Sequence, residues 1–426
     1  EQTVSLPQIE TSLKDPIDQR NDALASADLT VADTVTYTNL IPGQEYTVKG
    51  RLMDQVTGEA ALDDRGNEIT ASADFTAKDY EGSVKVLFHF QGQSLAGHTI
   101  VAFEELYRGD KLAAVHADIT DETQTLFIPR IRTTLEDAMD GEHDALVSGI
   151  ITLVDHVPYE NLKIGTEYLL RGILMDKASG TPILDENGEP VMEQQIFTAE
   201  TKDGAIDLTF TFGGVSLAGH TAVAYETLYR DDKIVAIHCD IEDTDQSVFL
   251  PRIRTSLTDR ENNCREIPAT DAITLVDTVT YENLLPGQEY TLKGRLVDQA
   301  TGEAVQDDRG NEIIARTVFV AESSEGRIEV AFHFGGGSLA GFSVTAFEDL
   351  YRKEKLAAVH ADLQDEDQTV TIRKESKITG MEPVRTGDNS HFQAYLIVSV
   401  LAAAAMMISV ATGLRHNKGK QRGRHS

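Results

Sequence analysis

Short runs of alternating apolar and polar residues recur along most of the chain, and they predict β-strands. The runs at 34–37 and 46–53 are rich in β-branched and aromatic residues and are separated by Pro42-Gly43. Residues 84–90 alternate strictly, and further apolar runs at 99–104 and 112–116 follow at turn-separated spacing. No amphipathic helical pattern of useful length interrupts them. The pattern therefore predicts an all-β fold.

The whole pattern repeats. The sequence Ile-x-Thr-[Ser/Thr]-Leu-x-Asp begins at Ile9, Ile131 and Ile253, a period of 122 residues, which is too long for a solenoid repeat and indicates tandem domains. About seven short strands per repeat favour an immunoglobulin-like β-sandwich. The predicted domains are 9–129, 130–251 and 252–373, joined by short Pro-containing junctions. Residues 1–8 resemble the end of a repeat, because Gln2-Thr3-Val4 matches 368–370, so we expect a truncated upstream copy there.

The chain changes character after the third repeat. We expect a polar linker at 374–391, a transmembrane helix at 392–414, which is apolar and uncharged, and a basic cytoplasmic tail at 415–426. Thr386-Gly387 with this span and tail resembles a Gram-positive cell-wall sorting signal, although Pro383 lies one place too early for Leu-Pro-x-Thr-Gly. Sortase-mediated attachment to peptidoglycan at Thr386 is favoured over a retained membrane anchor; a buried core helix is the third reading.

Composition narrows the function classes. The net charge of −32 argues against a nucleic-acid partner, because phosphate binding needs Lys and Arg. Two cysteines, Cys239 and Cys264, are too few for a disulfide scaffold, and we expect Cys239 to be a small buried strand residue. The acidic run at 118–122 lacks the glycine and spacing of an EF-hand loop, so we predict a solvated loop there, with weak Ca²⁺ binding as the alternative. No metal or cofactor is expected.

A set of polar residues recurs at fixed spacing inside each repeat, which strand formation alone does not require. A His precedes a Gln by eight residues, a Glu precedes that His by 12, and a Thr precedes the Gln by 113, with an Asp 22 residues after the Thr. The candidate site residues are Thr11, Asp33, Glu104, His116 and Gln124 in the first copy, Thr133, Asp155, Glu226, His238 and Gln246 in the second, and Thr255, Asp277, Glu348, His360 and Gln368 in the third. A second recurring Asp, at 54, 176 and 298, is an alternative for the Asp position.

With these residues, each copy resembles the Thr–Gln ester-bond domains, also described by their Val-Ala-Phe-Glu repeat, of Gram-positive surface adhesins. The resemblance covers about residues 9–373. It implies that a Thr of the first strand attacks the side-chain amide of a Gln at the last strand and releases ammonia. The implied ester bonds are Thr11–Gln124, Thr133–Gln246 and Thr255–Gln368, and the matching Asp, Glu and His of each copy assist.

The residue types suit such a reaction. A His can take the hydroxyl proton near neutral pH, buried carboxyls can stay protonated and donate, and the strand contact supplies proximity. A structural Glu–His ion pair is the plain alternative. A nucleophilic hydrolase is disfavoured because Gly-x-Ser-x-Gly is absent, and a Lys–Asn isopeptide bond because no Lys occupies the Thr positions. The reaction runs once per domain, so the protein is not expected to be an enzyme in the turnover sense.

The expected function is that of a secreted, C-terminally anchored stalk on the bacterial cell surface. Ester-linked domains would form a passive shaft that carries a binding region away from the cell. The alternative is a module whose loops bind a host or partner-cell ligand directly.

Overall fold

The computed structural model describes residues 6–147 and 149–374, and within these the chain folds into three consecutive β domains. The expected all-β class and the three tandem domains are thus confirmed. The predicted transmembrane segment, sorting motif and basic tail lie outside the described residues, as does most of the predicted linker. Among the described residues no helix is long and apolar enough to cross a membrane.

The long strands follow the same order in each repeat, and the copies differ in their shortest strands and in their 3₁₀ turns. Domain 1 contains Gln8–Lys14 (β1), Leu29–Thr38 (β2), Glu45–Asp54 (β3), Thr70–Thr76 (β4), Gly82–Phe90 (β5), Gln93–Leu95 (η1), Thr99–Arg108 (β6), Lys111–His116 (β7), Glu122–Gln124 (η2) and Thr125–Phe127 (β8). Domain 2 contains Arg130–Ile131 (β9), Thr134–Asp137 (β10), Ile150–Glu160 (β11), Glu167–Asp176 (β12), Thr181–Pro182 (β13), Met192–Thr198 (β14), Gly204–Gly213 (β15), Val215–Leu217 (η3), Thr221–Arg230 (β16), Lys233–His238 (β17) and Ser247–Phe249 (β18). Domain 3 contains Arg252–Asp259 (β19), Glu266–Pro268 (β20), Ile273–Glu282 (β21), Glu289–Asp298 (β22), Ile314–Val320 (β23), Gly326–Phe334 (β24), Ser343–Arg352 (β25), Lys355–His360 (β26), Glu366–Gln368 (η4) and Thr369–Arg373 (β27).

Each domain is built from a small and a larger sheet. In domain 1 the small sheet has the order β1-β2-β5, and the larger one β4-β3-β6-β7 with β8 also pairing with β6. All of these pairs are antiparallel. Inward-facing side chains of both sheets, such as Leu13 and Val35 from one and Leu52 and Leu106 from the other, are fully buried in one core. The first strand of the domain lies in one sheet and the last in the other.

The environment of Cys239 differs from the prediction. Cys239 is exposed. Ile237, two residues earlier, is also exposed, with 44% of its surface accessible. Alternation correctly put the two side chains on one face, but that face of β17 points to solvent. An aliphatic residue at an exposed strand position misled the assignment, because β-branched residues also favour the strand backbone where they are not buried.

Candidate functional site

The first sheet supplies the Thr and the Asp. In β1 the alternate residues Ile9, Thr11 and Leu13 face inward, and Thr11 is only 6% exposed. Asp33 lies on the neighbouring strand β2, where its Cα pairs with that of Leu13, and it is fully buried. Strand alternation thus aims a hydroxyl and a carboxyl into the same end of the core.

The second sheet supplies the Glu, the His and the Gln. Glu104 on β6 and His116 on β7 are direct cross-strand partners, and Glu104 also pairs with Gly50 on β3. A Cβ at Gly50 would lie 2.6 Å from the ring of Phe88, so glycine is needed for that ring to pack beside the Glu. Gln124 ends η2 and is fully buried.

In domain 1 the Gln amide bridges the Thr and the Glu. Gln124 Nε2 donates to Thr11 Oγ1 at 2.5 Å and to Glu104 Oε2 at 3.0 Å. Thr123 Oγ1 donates to the Thr11 carbonyl at 3.0 Å and fastens the η2 turn to β1. The Gln124 carbonyl oxygen is buried with no hydrogen-bond partner among the described residues. The amide therefore sits against the hydroxyl with its oxygen unsatisfied.

The other two copies repeat this arrangement with one difference. In domain 3, Gln368 Nε2 donates to Thr255 Oγ1 at 2.8 Å and to Glu348 Oε2 at 3.4 Å. In domain 2, Gln246 Nε2 donates to Glu226 Oε2 at 3.5 Å, while the Thr133 hydroxyl donates to Asp155. The Thr hydroxyl therefore contacts the Gln amide in domains 1 and 3, and it contacts the Asp carboxyl in domain 2.

Burial keeps the carboxyl pair from ionising fully. Desolvation, and then the charge of Asp33, raise the pKa of Glu104 to about 11. Desolvation also raises the pKa of Asp33, although the neighbouring Glu104 and Thr11 partly oppose the rise. Neither oxygen of Asp33 has a hydrogen-bond partner of good geometry among the described residues. Two carboxyls this close cannot both carry charge in a dry site, so the pair holds at least one proton at neutral pH.

The same direction holds in the other domains. Desolvation raises the pKa of Asp155 to about 7 and raises that of Asp277. Desolvation and the neighbouring Asp raise the pKa values of Glu226 and Glu348 well above the usual range. In each domain the Glu is thus the group that keeps the proton.

The His lies at the rim of the site and not on the hydroxyl. The His116 ring contacts Asp121 Oδ2 through Nε2 at 2.9 Å and the Ile9 carbonyl through Nδ1 at 3.2 Å. His360 contacts Asp365 at 3.2 Å, and His238 lies 3.5 Å from Asp243. From the residue types alone His is the expected base, whereas the geometry brings the Asp and the Glu closer to the Thr hydroxyl and the Gln amide.

Sequence reasoning missed the Asp that holds this His. Asp121 accepts a hydrogen bond from the backbone N–H of Thr123 and so caps η2, the turn that presents Gln124. The signal was available, because an acid recurs five residues after each His and three before each Gln. We had assigned that run to a solvated loop.

The alternative Asp position is remote from this chemistry. Asp54 accepts from the backbone N–H groups of Val56 and Thr57 and contacts His98 Nδ1 at 2.5 Å. Asp176 makes the corresponding contact with His220 at 3.1 Å. These acids shape the turns that follow β3 and β12. The described residues hold no cluster of three or more His, Cys, Asp or Glu placed to bind a metal ion.

The arrangement can support attack of a hydroxyl on an amide. It places a buried nucleophile against a carboxamide, an acid beside the amide nitrogen and a second carboxyl within reach of the hydroxyl. Water is largely excluded, which strengthens these interactions and prevents competing hydrolysis.

Comparison with known proteins agrees with this chemistry. The sequence profile of the "T-Q ester bond containing domain" matches residues 7–128, 129–250 and 251–372. No curated protein sequence matches the chain.

Solved structures give only weak overlaps. A Mobiluncus mulieris adhesin with intramolecular disulfide, isopeptide and ester bond cross-links is 12% identical over 61% of this chain and 90% of that one, with a TM-score of 0.25. The C-terminal domain of the Streptococcus agalactiae AgI/II polypeptide BspA is 9% identical over 55% and 100%, with a TM-score of 0.28. Overlaps at this level carry no conclusion about the chain.

Proposed function

Because this chain belongs to the family of T-Q ester bond containing domains, we propose that each domain cross-links itself through a Thr–Gln ester. The bonds are Thr11–Gln124, Thr133–Gln246 and Thr255–Gln368. The observation that carries the proposal is the contact of the buried Gln amide with the Thr hydroxyl, at 2.5 Å in domain 1 and 2.8 Å in domain 3. The family membership confirms the resemblance seen in the sequence.

The carboxyl pair supplies the proton transfers. Asp33, as the ionised partner, takes the proton of the Thr11 hydroxyl, in the contact that Thr133 and Asp155 show in domain 2. The Thr oxygen attacks the Gln124 side-chain carbon and the carbon–nitrogen bond breaks. Glu104, 3.0 Å from that nitrogen, gives its proton, and nitrogen leaves as ammonia. One proton is taken and one given, so the pair ends with its original total charge.

In this scheme His116 is a positioning residue. Its ring ties Asp121 to the Ile9 carbonyl, which holds the η2 turn against β1. Holding the reacting groups in contact can offset about 7–11 kcal/mol of the barrier. Each domain reacts once, so the chain is its own substrate and not a turnover enzyme.

At the level of the whole protein we propose an extracellular stalk of an adhesin, built from immunoglobulin-like domains and anchored through the C-terminal region. An ester between the first strand and the last would carry tension past the fold of each domain. A cross-link that closes a loop of about 100 residues stabilises the folded state by about 4.7 kcal/mol in the chain-entropy treatment. Such a stalk needs no cysteine.

Peptide mapping tests the linkage directly. After digestion, the peptide that contains Thr11 is expected to be detected covalently linked to the peptide that contains Gln124. Hydroxylamine should separate them, because it cleaves esters and leaves ordinary amides intact. Separate peptides before hydroxylamine treatment would overturn the ester proposal.

A cell-free adhesion assay tests the stalk proposal. The purified chain is expected to show no saturable binding to host cells, because a passive shaft offers no ligand site. Specific, saturable binding would replace the shaft with the ligand-binding alternative and leave the ester chemistry untouched.

A further inference from the structure

Both junctions between domains are held by the same ionic clamp. At the first, the β16–β17 hairpin of domain 2 reaches back onto domain 1, where Arg230 pairs with Asp22 at 2.7 Å and Lys233 pairs with Asp15 at 2.8 Å. Asp22 is fully buried. The partners lie 208 and 218 residues apart in the sequence. An acidic turn of one domain thus receives a basic hairpin of the next.

The second junction repeats the clamp with the equivalent residues, which lie 122 positions later in the sequence. In domain 3, Arg352 Nε donates to Asp144 Oδ2 at 3.1 Å, and Lys355 pairs with Asp137 and Asp140, each at 2.9 Å. The side chains of Arg352 and Asp144 are 5% and 1% exposed. A buried pair is strongly destabilised when one partner is lost, so each clamp selects its partner.

An Asn completes each junction. Asn161 of domain 2 adopts the left-handed conformation, with φ of 62°, that Asn tolerates. It accepts from Thr99 Oγ1 at 2.6 Å and donates to the Ile128 carbonyl at 3.2 Å. Asn283 of domain 3 accepts from Thr221 Oγ1 at 2.8 Å in the same way.

Domain 1 presents the same surface without a partner. Arg108 and Lys111, the counterparts of Arg230 and Lys233, are exposed and pair with no carboxylate among the described residues. Asn39, the counterpart of Asn161, is exposed, and its side-chain amide donates to the Leu6 carbonyl at 3.0 Å and to no other group among the described residues. Leu6 itself is 71% exposed, whereas its counterparts Ile128 and Leu250 are both 0% exposed.

We propose that Leu6, Asn39, Arg108 and Lys111 form a docking surface that accepts the acidic turn of another domain of this family when such a domain is linked directly before domain 1. The acidic turn is the expected partner because this surface carries the same Arg and Lys that bind an acidic turn in the two clamps already present. The proposal does not depend on the ester chemistry, because the clamp lies outside the carboxyl site.

The acidic turns inside the chain do not offer this partner. Those of domains 1 and 2 are occupied by the clamps described above. In domain 3 the counterparts of Asp140, Glu142 and Asp144 are Asn262, Cys264 and Glu266, and Glu266 pairs with Arg373 of its own domain. Among the described residues, a second copy of the chain therefore brings no unoccupied acidic turn of this type, and the clamp gives the array a direction.

A four-domain chain tests the surface. A copy of residues 7–128 inserted between Leu6 and Pro7 restores both the junction and an acidic turn, as does a copy of residues 129–250. A copy of residues 251–372 restores the junction with the altered turn of domain 3 and is the matched control. Hydrogen exchange of the original Gly109–Lys111 backbone amides, and the exchange of the inserted strands as a check of folding, are measured in all three chains.

We expect the amides at 109–111 to exchange about tenfold more slowly, or slower still, with either acidic insert than with the control, since docking adds a barrier to local opening. The slowing should disappear when the Asp that corresponds to Asp22 or Asp144 in the insert is changed to Asn. Equal exchange with folded acidic and control inserts would overturn the proposal. Failure of this test would leave the loss of one ammonia per domain unaffected, and loss of the ester bonds would leave the slowing unaffected.

Discussion

At the scale of single residues, the site depends on two carboxyls that are placed where neither is solvated. Asp33 and Glu104 are both fully buried, yet they differ in their partners: the Glu faces the leaving nitrogen and the Asp faces the hydroxyl side. The spacing of the repeats singled out both residues, and the family resemblance implied Thr11 and Gln124 as the pair that we propose to react. His116 is the base expected from the sequence, because residue types show which groups titrate near neutral pH. They do not show that the His116 ring is already held by Asp121 at the η2 turn.

Replacing the acid should stop one reaction and spare the others. In Glu104→Gln the first ester should form at least about 100-fold more slowly, because general acid catalysis typically contributes that much or more. The intact mass should then show two ammonia losses instead of three. Glu105→Gln is the control, since Glu105 contacts Tyr107 at the surface. Full cross-linking of Glu104→Gln would show that the Glu is not the acid.

The buried proton predicts a pH dependence in a domain that cannot cross-link. In Thr11→Ala, domain 1 should lose stability as the pH rises from the ordinary pKa of Glu toward the raised pKa of Glu104, about 11. The sign follows because the folded state keeps a proton that the unfolded state releases, so alkali favours unfolding, by up to about 1.4 kcal/mol per pH unit. Urea unfolding of domain 1 at pH 5 and pH 8 measures it. Adding Glu104→Gln should flatten the slope, and an unchanged slope would contradict the assignment.

At the scale of elements, the reaction needs the η2 turn to be held against β1. Neighbouring side chains of β7 face opposite ways: 49% of Val115 is exposed, whereas His116 turns inward and contacts the Ile9 carbonyl. An apolar strand face is usually the core face, and here a polar site under the η2 turn reverses that rule. The contacts that decide it join residues more than 100 positions apart.

Loosening the turn should slow ester formation without preventing it. Asp121→Asn leaves a side chain that can still cap η2 but removes the charge that strengthens the contact with His116, so the first bond should form several-fold more slowly. Mass measured over time after refolding follows the reaction. Asp118→Asn is the control, because Asp118 is exposed and bonds only Thr120. Equal rates in the two variants would remove Asp121 from the positioning role.

At the scale of the whole molecule, the sequence predicted the number and order of domains from their period alone. It gave no sign of the clamps, because Arg230 and Asp22 lie in different repeats and charged residues are common on any acidic surface. The clamps add an ionic contact at each joint, and the Arg352–Asp144 pair at the second is buried on both sides.

Breaking one clamp should destabilise one joint. Arg352→Ala removes the guanidinium that pairs with buried Asp144 and leaves Lys355 at 3.7 Å. Losing one partner of a buried pair costs about 3–5 kcal/mol in comparable cases. The free energy of unfolding at the second junction, measured by hydrogen exchange of β18 and of the β25–β26 hairpin, should fall by that order. Lys353→Ala, which removes a side chain that is 69% exposed, should change it little. Similar losses in both variants would contradict the clamp.

The intact mass of the purified chain tests the central claim most directly. Each ester releases one ammonia, so the mass should lie three ammonia below that encoded by the sequence, and Thr133→Ala should restore one of them. The same difference should persist after denaturation, because the bonds are covalent. A mass equal to the encoded value would contradict the self-cross-linking of these domains.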